Sequence, residues 1–172
     1  MANGTRKYQN TIGLILSRQN ITDLPGTSQK SRKEIAEQAR KGGYIVNEDE
    51  GEPDMIFVGN GSEVRTLYEA AELLRERKKL KIRIVSIMSE GIFRDQSPEY
   101  QNLVLPDRKP IFGLTAGLPS TLSSLVGDKG KAYGLSHFGY SAPAGVLDEK
   151  FGFTAENIFT HSFAYFENFH AQ

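Results

Sequence analysis

Residues 55–87 run MIFVGNGSEVRTLYEAAELLRERKKLKIRIVSI. Met55–Gly59 is an unbroken apolar run of strand length, the pattern of a strand covered on both faces. Gly61 and Ser62 break it, and Ser62 is placed to cap a helix with Glu63 in its first turn. Val64, Leu67, Ala71 and Leu74 then recur at helical spacing. The helix closes in the basic residues 75–79, where cations suit the negative end of the helix dipole. Ile82–Ile87 follows as a second apolar run. Strand, helix, strand in this order predicts a parallel pair joined by a right-handed crossover.

The same rhythm continues towards the C-terminus. Ser97 and Pro98 open a helix that runs to about residue 105. Residues 111–114 read as a strand, residues 119–126 as a helix closed by Gly127, and residues 131–136 as a strand. Residues 143–151 read as a helix ended by Gly152, and Thr154 caps a last helix from Ala155 to about Phe169. Upstream, Gly42-Gly43 introduces a brief strand at residues 44–46, and the acidic residues 47–54 read as a turn. Residues 31–40 are a short charged helix and residues 20–29 a loop. The apolar residues 11–17 (TIGLILS) read as a strand outside this rhythm. Alternating strands and helices predict a three-layer α/β/α fold on a largely parallel sheet.

Composition narrows the function. The chain has 172 residues, and its 21 Lys+Arg equal its 21 Asp+Glu, so no net charge draws it to nucleic acid or an anionic membrane. With no cysteine, disulfides, thiolate catalysis and cysteine-held metals are excluded. No stretch approaches the roughly 20 apolar residues of a membrane span. No signal-like run follows the N-terminus, and the expected location is cytoplasmic.

In open α/β sheets, ligands favour the loops at the carboxyl ends of strands. The run Gly59-Asn60-Gly61-Ser62-Glu63-Val64 begins like a dinucleotide fingerprint, but Val64 stands where a third glycine belongs and no acidic residue ends the next strand. Its other reading is a tight turn into a helix. Neither a phosphate-binding P-loop nor a G-x-S-x-G elbow occurs. The three histidines, His137, His161 and His170, lack metal-ligand spacing. His137 follows a strand and reads as a catalytic or a hydrogen-bonding loop residue. His161 and His170 read as surface or interface residues of the last helix. The basic residues Arg75, Arg77, Lys78, Lys79, Lys81 and Arg83 are interleaved with Glu72 and Glu76 and lack aromatic companions, so they read as a solvated helix end. Phe159, Phe163, Tyr165, Phe166 and Phe169 spread beyond one narrow stripe of the last helix. Either a second face packs on another domain or the helix is deep core. From spacing alone no catalytic constellation emerges.

A resemblance adds to this reading. Residues 16–20 (LSRQN), 42–46 (GGYIV) and 52–54 (EPD) are similar to the junction and first strand of transketolase C-terminal domains. GSEV at 61–64, EAAELL at 69–74, VSIM at 85–88, Phe93 and QSPEY at 96–100 continue it. VLP at 104–106, FGYSAP at 138–143 and FGFTAEN at 151–157 complete it. The resemblance implies a five-stranded, mostly parallel sheet with one antiparallel strand. It implies that residues 1–41 are the end of a preceding pyrimidine-binding domain plus a linker, and that residues 42–172 are the C-terminal domain. Transketolases are dimers that move a two-carbon ketol unit between sugar phosphates of the pentose phosphate pathway, using thiamine diphosphate and a divalent cation (Mg or Ca). In the family the preceding domains hold both cofactors, so this chain is expected to contain no catalytic, cofactor-binding or metal-binding residue and to be inactive alone, as a structural, dimer-supporting part. The partners implied are the remaining transketolase domains and a second copy, with sugar phosphates as substrates. Arg18, in the S-R-Q motif, matches the arginine that contacts the substrate phosphate, where a guanidinium forks onto two oxygens. A related thiamine-diphosphate enzyme and a free-standing α/β binding or protein-interaction module are the alternatives.

Overall fold

The structure is a computed structural model that describes Gly13, residues 21–26 and residues 30–171. Among the described residues five strands form one sheet: β1 (Gly43–Glu48), β2 (Met55–Gly59), β3 (Ile82–Ile87), β4 (Ile111–Leu114) and β5 (Lys131–Tyr133). Their order is β1-β3-β2-β4-β5. All neighbours are parallel except β1, which runs antiparallel to β3. The expected five strands with one antiparallel member are therefore present. The helices are α1 (Arg32–Glu37), α2 (Glu63–Lys78), α3 (Glu90–Arg94), α4 (Pro98–Val104), α5 (Ser123–Val126), α6 (Ala144–Phe151) and α7 (Ala155–His170).

The period-2 alternation of the strands sorts two cores. Met55, Phe57, Ile82, Ile84, Phe112 and Leu114 face the layer of α2 and α7, where Leu67, Ala70, Leu74, Ile158 and Tyr165 meet them. Ile56, Val58, Val85, Ile87 and Ile111 face the opposite layer, built from Phe93, Val104, Leu122, Leu125 and Val126. Every residue of β2 is buried, which is why that strand reads as a continuous apolar run. Each large apolar side chain fully buried in this way contributes about 1.5–3 kcal/mol relative to exposure.

Local chemistry sets several boundaries. Ser31 and Glu34 form a reciprocal capping box on α1. Ser97 and Thr154 cap α4 and α7 through their hydroxyls, at 3.3 Å and 3.4 Å from the Tyr100 and Asn157 amides. Ser62 departs from expectation: its backbone is already helical and its hydroxyl donates to Glu63 Oε1 at 3.2 Å rather than capping an amide. Residues 119–126 are not one helix but a 3-10 turn, Pro119–Leu122, followed by α5. β5 ends at Tyr133, short of residue 136, because the Leu135 amide leaves the ladder and donates to the Gly117 carbonyl at 2.9 Å.

Three glycines, at two places in the fold, govern close approach. Gly42 sits at φ +79°, and a Cβ there would lie 2.5 Å from both the Phe93 nitrogen and the Ser89 oxygen. Its carbonyl accepts from the Met88 and Ser89 amides at 2.8 Å and 2.9 Å. The next carbonyl, of Gly43, accepts from the Tyr100 hydroxyl at 2.9 Å. The two glycines thus let α3 and α4 pack directly on the start of β1. Gly152, at φ +73°, does the same at the α6–α7 corner, where a Cβ would meet Asn157 Nδ2 and the Tyr133 hydroxyl oxygen at 2.4 Å. Asn157 Nδ2 donates to the Gly152 carbonyl at 2.9 Å, and the Tyr133 hydroxyl donates to the Phe151 carbonyl at 2.8 Å.

The two sheet edges differ from the middle. β1 carries a register shift between Ile45 and Asn47. β5 has three residues, the first of them exposed Lys131.

Candidate functional site

The topology singles out one place. β2 connects through α2 to β3 on one side, and β4 lies on its other side, so the connections diverge at the carboxyl ends of β2 and β4, where open α/β sheets usually hold ligands. The loop after β2 fills that place with the chain's own atoms. A Cβ at Gly59 would come within 2.9 Å of Leu67 Cδ1 and 3.2 Å of the Leu114 carbonyl. Gly61 takes φ +56°, and Val64 is buried in the core. The geometry is that of a tight turn delivering α2 onto the sheet, the plainer of the two readings of residues 59–64.

Glu63 is the one titratable group of this turn with a displaced acidity. Burial raises its carboxyl above the usual range, opposed by hydrogen bonds from its own amide and Ser62, and the nearby Asp148 adds to the rise. A carboxyl raised in the fold stabilises it below the ordinary glutamate range, and that contribution is lost as pH rises through the folded value. Glu63→Gln, which stays neutral, is therefore expected to raise the melting temperature at pH 7 relative to wild type, and the gain should shrink towards pH 4. An equal change at both pH values would show that the carboxylate carries no burial cost.

The histidines sit apart in aromatic surroundings. His137 Nδ1 lies 2.7 Å from the Phe138 carbonyl, which only accepts, so that nitrogen carries the proton. Its ring lies 5.7 Å from Tyr140 and 5.6 Å from Phe151, and those two stack at 5.5 Å. His161 packs on Tyr133 at 5.0 Å and His170 on Phe166 at 4.5 Å. Among the described residues no three His, Cys, Asp or Glu side chains come together as a metal group would require.

The basic segment is less solvated than its sequence implies. The Arg75 guanidinium donates to Asp49 at 2.8 Å, Glu72 at 2.6 Å, Asn47 at 2.7 Å and the Ile82 carbonyl at 3.0 Å. Arg77 forks onto Glu156 of α7 at 2.6 Å and 2.8 Å. Arg83 pairs with Glu48 at 2.9 Å, and Lys78 covers the Phe163 ring at 3.9 Å. These cations tie α2 and β3 to their neighbours.

That arrangement also explains the aromatic surplus of the last helix. Ile158, Ser162 and Tyr165 are its buried face. Tyr165 reaches through to β4, accepting from the Ile111 amide at 3.1 Å and donating to the Lys129 carbonyl at 2.9 Å. Phe159, Phe163 and Phe166 stack along the flank at 6.2 Å and 6.5 Å and are half-buried against the α2 layer, with Arg77 and Lys78 over the first two rings. The rings are therefore neither fully buried core nor a bare second face. At the opposite edge of the sheet, a cleft of about 970 Å³ opens beside the amino ends of β4 and β5. Arg94, Arg108, Lys109 and Lys129 line it together with Asp107 and Asp128, so its charged lining is basic on balance. Arg18, the one phosphate-binding candidate in the sequence, lies outside the described residues, as does the strand expected at residues 11–17, apart from Gly13.

The sheet order, the antiparallel first strand and the described loops converge with a family comparison. A family model described as the transketolase-like TK C-terminal domain matches residues 42–154. The chain belongs to this transketolase C-terminal domain family. Its curated relatives include a chloroplastic transketolase of Craterostigma plantagineum, 40% identical over 148 residues, covering 84% of this chain and 27% of that protein. Transketolase 2 of Vibrio parahaemolyticus is 41% identical over 146 residues, covering 84% of this chain and 21% of its own length. Among solved structures, a Pichia stipitis transketolase in complex with sedoheptulose 7-phosphate superposes with a TM-score of 0.75 at 30% identity, over 90% of this chain and 21% of that one. The chain thus spans roughly a fifth to a quarter of the length of these transketolases. No helix of the described residues is long and apolar enough to cross a membrane.

Proposed function

We propose that this chain is the C-terminal domain of a transketolase that transfers a two-carbon ketol unit between sugar phosphates, and that the domain is a scaffold supporting a homodimer rather than the seat of chemistry. The observation that carries this is the family match over residues 42–154, joined to 40% identity with transketolases across 84% of the chain. That match begins at Gly42, which supports residues 1–41 as the end of a preceding domain with its linker. Thiamine diphosphate and a divalent cation would serve the complete enzyme. The described residues do not fit them: no acidic or histidine trio converges, and Asp128 stands exposed beside Lys129. The cofactor belongs to parts of the enzyme beyond this span, and the expected compartment is the cytoplasm.

Within this reading Arg18 contacts the phosphate of the sugar substrate. A charge-assisted guanidinium–phosphate bond is worth about 1.5–3 kcal/mol. The test joins residues 11–171 to the Vibrio parahaemolyticus transketolase 2 in place of its own C-terminal segment. The purified 172-residue protein alone is expected to give no ketol transfer from xylulose 5-phosphate, and the fusion to be active. Arg18→Ala in the fusion should raise KM for phosphorylated sugars roughly tenfold or more, by that energy, with little change for unphosphorylated ones. An equal change for both would remove the phosphate role. An inactive fusion, or turnover by the isolated protein, would overturn the transketolase assignment or the scaffold role respectively.

A further inference from the structure

The cleft at the amino ends of β4 and β5 plays no part in the scaffold role. Its volume of about 970 Å³ falls within the range of about 300–1,000 Å³ usual for small-molecule sites. The turn before β4, the turn before β5 and the last turn of α7 all contribute walls. Hydrogen bonds tie these segments together. The Tyr165 hydroxyl of α7 accepts from the Ile111 amide at 3.1 Å and donates to the Lys129 carbonyl at 2.9 Å. The Asp107 amide donates to Asn102 Oδ1 at 3.3 Å, and the Gly130 amide donates to the Gly127 carbonyl at 3.1 Å. The walls are set before any ligand arrives, which lowers the ordering cost of binding.

The lining offers three kinds of chemistry. Leu105, Pro106 and Phe169 are half-buried and leave apolar surface inside the cleft, a bed on which a flat ring can rest. Of the four cations, Arg94 is engaged by Glu90 at 3.3 Å and Lys109 by Glu52 at 3.0 Å. Arg108 and Lys129 are exposed and have no ion-pair partner among the described residues. The carboxylates of Asp107 and Asp128, each next in sequence to one of these cations, form no ion pair either. Unpaired cations suit the oxygens of a phosphate, and unpaired carboxylates accept from hydroxyl groups.

Arg108 is also held in an uncommon conformation. Among the described non-glycine residues only Lys79 and Arg108 have positive φ, at +59° and +72°. Lys79 closes α2, where a left-handed residue is ordinary. Arg108 lies in the turn before β4, at a position where glycine or asparagine would rest more easily. A role for the guanidinium accounts for an arginine kept there against the preference of the backbone. We infer that the cleft binds a small phosphate monoester that carries a flat ring and free hydroxyls, the chemistry of a nucleoside monophosphate. Arg108 and Lys129 take the phosphate, Pro106 and Phe169 the ring, and Asp107 and Asp128 the hydroxyls. The inference does not depend on ketol transfer.

Isothermal titration calorimetry of the 172-residue protein with adenosine 5′-monophosphate tests this. One saturable site is expected. Adenosine, which lacks the phosphate, and inorganic phosphate, which lacks the ring, should each bind roughly tenfold or more weakly. Arg108→Gln and Lys129→Gln should each weaken the nucleotide about tenfold, while Arg65→Gln on α2 should leave its affinity unchanged. Arg108→Gly separates binding from folding. It should weaken the nucleotide as much as Arg108→Gln does and raise the melting temperature, since glycine accepts φ +72°. On titration, amide NMR shifts should move in residues 105–109 and 127–130 and stay fixed in the loop at 136–142, where Phe138 is 96% exposed. Any of three results overturns the site: no saturable binding of the nucleotide up to roughly 5 mM, inorganic phosphate binding as tightly as the nucleotide, or full affinity in both Arg108→Gln and Lys129→Gln.

Discussion

The Gly42→Ala variant should lose about 2–5 kcal/mol of stability, a large share of what a domain of this size possesses. Two costs combine. An L-residue in the left-handed region required by φ +79° pays about 1–2 kcal/mol. The added methyl would also sit 2.5 Å from the Phe93 nitrogen and the Ser89 oxygen. Both are backbone atoms that cannot swing aside, so α3 must shift away from β1. Such overpacking typically costs about 1–3 kcal/mol. The shift would also stretch the bonds from the Met88 and Ser89 amides to Gly42. The measurement is urea unfolding, in which the midpoint should fall with the slope unchanged. Gly91→Ala is the matched control: it lies in α3 with nothing within 4 Å of the added atom and is expected to be neutral or slightly stabilising. Equal midpoints for the two variants would show that α3 does not pack on β1 as described.

Phe112→Ala is expected to cost about 3–5 kcal/mol. Phe112 is fully buried, and its ring touches Phe57 on the neighbouring strand at 5.9 Å and Tyr165 of α7 at 6.3 Å. Truncation removes the contact between sheet and last helix and opens a cavity that the strands on either side cannot close. Phe112→Leu keeps most of the volume and should cost less than half as much. The Phe112 pair of variants separates cavity formation from a loss of helix docking: near-UV circular dichroism should report loosened tyrosine packing in the alanine variant and little change in the leucine variant. A cost below about 1 kcal/mol for alanine would mean that this face of the sheet is not close-packed.

Much of the fold is legible in the sequence because its middle strands are buried on both sides. Met55–Gly59, Ile82–Ile87 and Ile111–Leu114 read as strands and are strands with those bounds. The helix through Val64, Leu67 and Leu74 was visible in its period, and Gly152 and Thr154 marked the last corner. What escaped the sequence depends on partners distant along the chain. α3 is five residues long, too short to show a period. Arg75 reads as a solvated helix end because Asp49 and Asn47, which hold it, lie 26 and 28 residues upstream. Gly42-Gly43 announces a turn, but nothing local shows that Phe93 closes on it. Ser62 has cap chemistry and no cap geometry, since the helix has already begun at that residue. Of the candidate site, the one residue the sequence named, Arg18, lies outside the described residues, and the glycines at residues 59–61 serve a tight turn onto the sheet. The exposed aromatic loop was quoted as part of the family resemblance, yet its exposure follows from β5 ending at Tyr133, which no local pattern announces.

The irregular borders of the sheet have a consequence for how copies can associate. A flat outer strand invites another molecule to extend the hydrogen-bonded ribbon. Here the register slip at Ile45–Asn47 bends one border, and three residues headed by a lysine make up the other. Among the described residues neither border offers a long, regular template for strand addition, so contacts between copies fall to side chains on loops and helices rather than to a continued ladder.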